Sequence, residues 1–301
     1  MKKIICCILC ILLLCGCAAP KAENGKMSVV TTIFPLYDFA RAIGKDKVEL
    51  KMLIRPGGEV HSYDPLPSDM AAVYDSDLFL YIGGESETWV DTIMDGGNIN
   101  AFALIDCVEA SDEGHSHEGH SHEGHHHPDE HIWTSPQNAV KMIESICESF
   151  VNSDPDNAEF YKKNRDEYIK KVNDASGKIE SEVSQHEAPF MLVADRFPFL
   201  YFAEHYGIDY EAAFGGCAVS TDISLKTMAR LSDVIEERNV KAVFCTEISN
   251  KSIANALSHE LGVEVVELHS AHNVTLDDFN AGITYVDILY RNIDALQRGL
   301  C

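Results

Sequence analysis

The chain has 301 residues, of which 46% are hydrophobic, and it carries a formal net charge of −24. This length and composition allow two α/β domains with packed cores and exclude a wholly disordered protein. The acidity argues against nucleic acid and anionic lipid surfaces as partners, because both would repel the chain.

The N-terminus predicts a lipoprotein signal peptide, residues 1–16. Two lysines precede eleven apolar residues, a length that suits a signal peptide but is too short to span a bilayer. The following LCGC resembles a bacterial lipobox, although the cysteine at its second position is unusual. We expect cleavage before Cys17, lipidation of Cys17 and a flexible tether over 17–27. An ordinary secretory signal is the alternative.

The first half of the chain alternates short apolar runs with helical patterns. Such runs are typical of parallel strands covered on both faces. They predict an N-terminal lobe over 28–153, with a further helix after Pro136. The predicted strands are 28–34, 48–54, 77–83 and 102–105, and the predicted helices between them are 36–44, 67–75 and 87–95.

A histidine-rich run, 114–127, interrupts this lobe. It repeats GHSHE and contains no apolar residue, so it predicts a mobile loop rather than part of a core. A run this dense in imidazole should bind metal, either as the working site or as an accessory to one. Its histidines are His115, His117, His120, His122, His125, His126 and His127.

A long polar segment, 154–187, carries a weak helical stripe and predicts an exposed helix that links two lobes. One broken stripe is too short for the alternative, a coiled coil. The alternation then resumes over 188–301, so the predicted fold class is α/β, with two lobes, each a small parallel sheet flanked by helices, joined by one long linker helix. The second lobe has predicted strands at 189–195, 208–214, 240–247 and 263–269, and predicted helices at 199–206, 225–238, 251–261 and 276–298.

Polar residues that follow strands mark a candidate metal site, because open parallel sheets bind ligands beyond the carboxyl ends of their strands. Two of the four main candidates come from each half of the chain, which places the site in a cleft between the lobes. These four are His61, His131, Asp195 and His269. Imidazole and carboxylate suit Zn²⁺, with Mn²⁺ or Fe²⁺ where oxygen ligands dominate. His272 could replace His269, and Glu59 or Glu247 could act as alternative or supporting ligands. Each of these candidate ligands could instead have no role in metal binding, as a solvated loop residue, a buried histidine or a helix cap.

Five cysteines lie beyond Cys17, with no CxxC spacing, so a four-cysteine zinc site is not supported. One disulfide is compatible with a location outside the cytoplasm, and we expect it between Cys217 and Cys245. Buried free cysteine is the alternative.

Four stretches carry a family resemblance. VVTTIFPLYDFARAIGKDKVELKMLIRPGGEVHSYDPLPSDMAAVYDSDLFLYIGG and EHIWTSPQNAVKMIESI, followed by FLYFAEHYGI and VEVVELH, make residues 28–301 resemble the zinc/manganese substrate-binding lipoproteins of bacterial ABC importers. The resemblance implies two α/β lobes joined by a long helix, with the metal between them. It implies ligation by His61 and His131, and by His269 where members often have Asp.

The third ligand position departs from the family pattern. An ungapped match places Arg196 where the family has His or Glu, and arginine stays protonated and cannot ligate. Asp195 is the nearest substitute, with Glu247 or a water as alternatives. Zinc-specific members often carry a His-rich acidic loop that manganese members usually lack, so the resemblance implies that the histidine-rich run collects zinc for the cleft.

The expected function is therefore capture of Zn²⁺ outside the cytoplasm and delivery to the membrane permease of an ABC importer. The protein is expected to be a monomer and not an enzyme, anchored by lipid to the outer face of the bacterial cytoplasmic membrane. Import of manganese or iron is the nearest alternative, followed by a metal-dependent adhesin. A metallohydrolase would need an open coordination position and a general base. Glu59 or Glu247 could serve as that base, but the sequence contains no HExxH.

Overall fold

The computed structural model describes residues 25–109, 129–216 and 224–301. These residues form two four-stranded parallel sheets flanked by helices, with one long helix between the two sheets in the chain. The predicted fold class is confirmed. Across the described ranges, no helix combines the length and apolar character needed to cross a membrane.

The N-terminal sheet has the strand order β2-β1-β3-β4, and its pairs are parallel. Its central strands β1 and β3 are almost wholly buried, as their continuous apolar sequences require. The strands are β1 Met27–Thr31, β2 Val48–Met52, β3 Leu78–Tyr81 and β4 Ala101–Ala103. The helices are α1 Phe34–Gly44, α2 Pro67–Tyr74, α3 Trp89–Met94 and α4 Pro136–Ser153.

The C-terminal sheet repeats this plan with the order β6-β5-β7-β8, again with parallel pairs. In both sheets the loops that leave the carboxyl ends of the strands lie at one edge, where ligands bind in such folds. The strands are β5 Phe190–Phe197, β6 Asp209–Gly215, β7 Ala242–Cys245 and β8 Glu264–Glu267. The helices are α6 Leu200–Tyr206, α7 Leu225–Arg238, α8 Ser252–Leu261, α9 Leu276–Ala281 and α10 Tyr285–Gly299.

The single helix predicted over 276–298 is wrong, because α9 and α10 are separate. Gly282 ends α9 with a φ of 78°, a left-handed conformation that favours glycine. Thr284 and Asp287 then form a reciprocal capping box that begins α10. The break matters for function because it places the N-terminus of α10 against the N-terminal lobe.

The linker helix α5, Ala158–Val183, is 26 residues long and begins later than predicted. Helix α4 ends at Ser153, and a short 3₁₀ turn over Pro155–Asn157 precedes α5. One stripe of α5 is buried and contacts α1 and α4 of the first lobe and α10 of the second. The linker therefore packs against both lobes along its length, which opposes large movements of one lobe against the other.

A buried carboxylate joins both lobes to this helix. Asp38 of α1 is 1% exposed and accepts hydrogen bonds from Tyr168 of α5 and from the backbone N–H of Tyr285 in α10. Arg41 pairs with Asp38 and also donates to the backbone oxygen of Ile283 at 2.6 Å. Burial raises the pKa of Asp38, against the lowering effects of Arg41 and the hydrogen-bond donors.

Asp38→Ala is expected to destabilise the protein by about 3 kcal/mol, because it leaves buried donors from three helices without their acceptor. Urea unfolding at pH 7 measures this change. Asp174→Ala, at an exposed position of α5, is the control and should change stability by less than about 0.5 kcal/mol. Equal effects of the two substitutions would contradict a role for Asp38 in joining the helices.

The expected disulfide between Cys217 and Cys245 is not supported. Cys245 is a free, fully buried thiol that contacts the backbone oxygen of Val266 at 3.6 Å. Burial raises its pKa to about 11, so it behaves as a small apolar residue of the core. Cys217 lies outside the described residues.

Candidate metal centre

Three histidines converge where the two lobes meet. His61, His131 and His272 each offer a ring nitrogen, and these atoms all lie within 4.8 Å of one another. His61 lies on the loop after β2, His131 precedes a short 3₁₀ turn at Ile132–Thr134, and His272 lies on the loop after β8. We call these three residues the histidine triad. They line a cavity of about 230 Å³ whose walls come from both lobes.

His131 is fully buried and held by the acidic residue two positions earlier. Asp129 Oδ1 accepts the backbone N–H of His131 at 2.7 Å and lies 3.0 Å from its Nδ1. Such a carboxylate favours the tautomer with hydrogen on Nδ1, which leaves Nε2 as the ligand atom. The Tyr201 hydroxyl holds the Asp129 backbone oxygen at 2.9 Å. The ring is therefore oriented before any metal binds.

His61 has a second buried acid beside it. Glu130 is 2% exposed, and its Oε1 lies 3.7 Å from His61 Nδ1. The other oxygen of Glu130 accepts the backbone N–H of Ser86 at 3.0 Å. The sequence reasoning missed both Asp129 and Glu130 as functional residues. The available signal was the adjacency in PDEHIW, where two acids directly precede a ligand candidate.

His272 closes the triad from the second lobe. Its ring centroid lies 5.2 Å from those of both His61 and His131. The Trp133 ring lies 4.8 Å from it and gives the site an apolar floor. His272 is 9% exposed, so little water reaches the ring.

Burial favours the neutral, metal-binding form of these rings. The pKa of His61 is lowered by burial, then by the neighbouring His131, against the raising effect of Glu130. The pKa of His272 is lowered well below its ordinary value, chiefly by burial and then by His131 and His61. Neutral imidazole is the ligating form, so both rings are ready for a cation near neutral pH.

The other predicted ligands lie around the triad rather than in it. Asp195 lines the cavity, and its Oδ2 accepts from the Thr246 hydroxyl at 2.9 Å. Glu247 also lines the cavity and accepts two hydrogen bonds from Ser270, at 2.9 and 2.8 Å. Glu59 lies at the half-exposed rim, 3.5 Å from Arg196 of the opposite lobe.

His269 lies outside the triad, and its expected ligation of the metal stays a prediction. Its Nδ1 accepts the backbone N–H of Ala271 at 3.0 Å and lies 3.6 Å from Glu247. Ala271 has a φ of 62°, a left-handed turn that reverses the chain between the two histidines. The geometry therefore favours His272, the alternative named from the sequence. The histidine-rich run and Cys17 lie outside the described residues.

Gly216, at the end of β6, allows the walls of the site to close on His131. A Cβ at this position would lie 2.8 Å from the Phe197 backbone oxygen, 3.0 Å from Asp129 Oδ2 and 3.2 Å from the His131 ring. A side chain at position 216 would therefore require the Phe197 backbone to shift, and it would crowd the Asp129 carboxylate and the His131 ring.

Comparison with known proteins identifies the family of this chain. The family described as zinc-uptake complex component A, periplasmic (ZnuA), matches residues 29–299. The chain is 34% identical over 297 residues to the high-affinity zinc uptake system protein ZnuA of Bacillus subtilis, across 95% of this chain and 92% of that one. The chain belongs to the ZnuA family. The resemblance inferred from the sequence is confirmed.

A second relative and a similar crystal structure both come from one streptococcal protein. The zinc-binding lipoprotein AdcA of Streptococcus pneumoniae is 31% identical over 307 residues, which cover 99% of this chain and 61% of AdcA. The crystal structure of the Zn(II)-bound ZnuA-like domain of AdcA matches with a TM-score of 0.77 at 26% identity, over 91% of this chain and 99% of that domain. This ZnuA-family chain thus corresponds to one domain of AdcA.

The lowered histidine pKa values predict acid destabilisation of the metal-free ZnuA-family protein. Unfolded histidine titrates near pH 6.5, so between that pH and the lower folded pKa the unfolded chain binds more protons. Stability is therefore lost as the pH falls below about 6.5. Urea unfolding at pH 7.5 and 5.5 should show a loss for the wild type that exceeds that of His272→Gln by on the order of 1 kcal/mol. Equal losses would contradict a depressed pKa at His272.

Proposed function

We propose that this protein captures Zn²⁺ in the cleft between its lobes and delivers it to the membrane permease of an ABC importer. The histidine triad carries the proposal, because three imidazole rings from both lobes meet within ligating reach of one ion. Family membership supports it, since the Bacillus subtilis relative is named a high-affinity zinc uptake protein.

The proposed ligands are His61, His131 and His272. A set of nitrogen ligands favours zinc over manganese, which prefers oxygen. Asp195 and Glu247 line the same cavity, so either carboxylate or a water completes the coordination shell. Asp129 and Glu130 are proposed to orient the rings of His131 and His61, which they contact.

Transport by such a receptor needs no chemical step. The cleft supplies oriented ligands and removes water from the ion, while the linker helix limits the change between empty and loaded forms. This role makes the protein a binding protein rather than an enzyme. Release requires that the permease disturb the ligand shell.

We further propose that residues 1–16 are removed and that Cys17 is lipidated, which anchors the protein at the outer face of the cytoplasmic membrane. The name of AdcA, a zinc-binding lipoprotein, supports an anchor of this kind. The histidine-rich run is proposed to collect zinc loosely near the cleft, because ordering such a chain costs about 1–2 kcal/mol per residue and weakens binding. The proposed assembly is a monomer with residues 28–153 and 188–301 as its two lobes.

Zn²⁺ and Mn²⁺ titrations of the metal-free protein, each with a competing chelator, test the proposed function. The expected result is one tight Zn²⁺ site, weaker Mn²⁺ binding, and removal of zinc by excess chelator without unfolding. His131→Ala is the matched variant and should lose the tight site. Unfolding on chelation would favour a structural metal, as in the adhesin alternative. Tight Mn²⁺ with weak Zn²⁺ would overturn the substrate.

A further inference from the structure

The loops that carry His61 and His272 are hydrogen-bonded directly to each other across the cleft. Asn273 is 2% exposed, and its amide nitrogen donates to the backbone oxygens of Arg55 and Gly58, each at 2.9 Å. Its amide oxygen accepts the backbone N–H of Val274 at 2.8 Å. One buried side chain of the second lobe thus satisfies two carbonyl groups of the first.

A backbone hydrogen bond extends this connection. The N–H of Gly57 donates to the Val274 oxygen at 2.7 Å, and Gly57 adopts a φ of 77° that only glycine accepts readily. Three hydrogen bonds therefore join residues 55–58 to residues 273–274, within a few residues of His61 on one side and next to His272 on the other.

The segment that carries His131 reaches the same loop of the second lobe. Trp133 Nε1 donates to the Ser270 backbone oxygen at 2.8 Å, and the Tyr285 hydroxyl donates to the Trp133 backbone oxygen at 2.6 Å. Residues 269–274 thus receive both ligand-bearing segments of the first lobe, and we call them the hub loop.

The hub loop is itself fixed within the second lobe. Asn292 of α10 accepts the His269 backbone N–H and donates to its oxygen, both at 2.8 Å. Ser270 is held by Glu247, and the left-handed turn at Ala271 is held by His269 Nδ1. His269 therefore supports the loop that presents His272.

A further polar contact across the cleft, between Glu59 and Arg196, is weaker in kind. Glu59 and Arg196 lie 3.5 Å apart, with side chains 49% and 21% exposed. An ion pair so open to solvent contributes little to holding two segments together. The buried amide of Asn273 can hold them, because breaking its bonds leaves carbonyl groups without partners.

We propose that Asn273 is a positioning residue, which holds His61 and His272 at ligating separation before the metal arrives and must release the loop after β2 for the metal to leave. This inference rests on the proposed function and extends it to the step that controls release. When the triad is preformed, zinc binding does not have to order the loops that carry it. Without Asn273 the loops must be ordered on binding, so zinc binds more weakly although no ligand has been removed.

Zinc dissociation from the loaded protein into excess chelator, followed by stopped flow, tests the proposal. Asn273→Ala should accelerate dissociation by about ten-fold or more, since it removes the two buried hydrogen bonds that Asn273 makes across the cleft. It should also change the visible spectrum of the Co²⁺-loaded protein, which reports ligand geometry. Asn273→Asp, which keeps the shape and the bond from Val274 but turns an acceptor toward both carbonyls, should act in the same direction and serves if the alanine variant does not fold.

Asn164→Ala is the matched control. Asn164 is 4% exposed, and its amide donates to the Ile43 backbone oxygen at 2.9 Å, far from the ligand loops in the chain. It should lose stability but keep the wild-type dissociation rate and Co²⁺ spectrum. Wild-type rates and spectra in both Asn273 variants would overturn the positioning role. If His131→Ala binds zinc as tightly as the wild type, the proposed function fails instead.

Discussion

His272→Asn is expected to lower the affinity of the tight zinc site by more than about 100-fold, since loss of even an outer supporting group commonly costs 10–100-fold. His272 is one of three imidazoles whose ligand atoms lie within 4.8 Å of one another. An asparagine oxygen is a much poorer ligand for zinc than imidazole nitrogen. Calorimetric titration against a competing chelator measures the change.

His269→Asn is the matched control for this substitution. Its side-chain oxygen can occupy the place of His269 Nδ1 and still accept the Ala271 N–H that fixes the hub loop. The variant lacks the second ring nitrogen, which a direct ligand would use. We expect zinc affinity within a few-fold of the wild type. A greater loss in His269→Asn than in His272→Asn would restore the assignment made from the sequence.

Deletion of residues 114–127 is expected to remove several weak zinc equivalents and to leave one tight site. The deleted segment lies outside the described residues, whereas Asp129 and Glu130, which contact His131 and His61, lie within them. Calorimetry of the metal-free full-length and deleted proteins separates the two classes of site. The tight equivalent should be unchanged, while the total bound zinc falls.

If deletion of the histidine-rich run also abolished the tight zinc site, that result would contradict this account. In that case the run itself would be the receptor site, and the triad would be a buried cluster without that role. A deletion variant that also lacks His131 provides the control, because it should bind no zinc tightly.

The periodicity of the sequence was sufficient to predict the fold. All eight predicted strands are present, because continuous apolar runs have few other ways to be buried in a chain of this kind. The error over 276–298 came from Gly282, whose left-handed conformation ends a helix that the apolar spacing alone would continue. Gly282 and the capping pair Thr284 and Asp287 are local signals of this break, which the apolar periodicity does not contain.

The site was predicted in part, for a related reason. His61 and His131 follow from the rule that ligands collect beyond the carboxyl ends of parallel strands. That rule selects His269, two residues after β8, whereas the turn at Ala271 places His272 beside His61 and His131. Asn273 has no sequence signature, because its proposed positioning role depends on two backbone carbonyl groups more than 200 positions away in the chain.

A crystal structure of the protein loaded with one equivalent of zinc, with anomalous scattering collected at the zinc edge, tests the central claim most directly. The account predicts a single strong peak about 2.0–2.1 Å from one ring nitrogen each of His61, His131 and His272. A peak held by His269 in place of His272, or by histidines of the run 115–127, would contradict it.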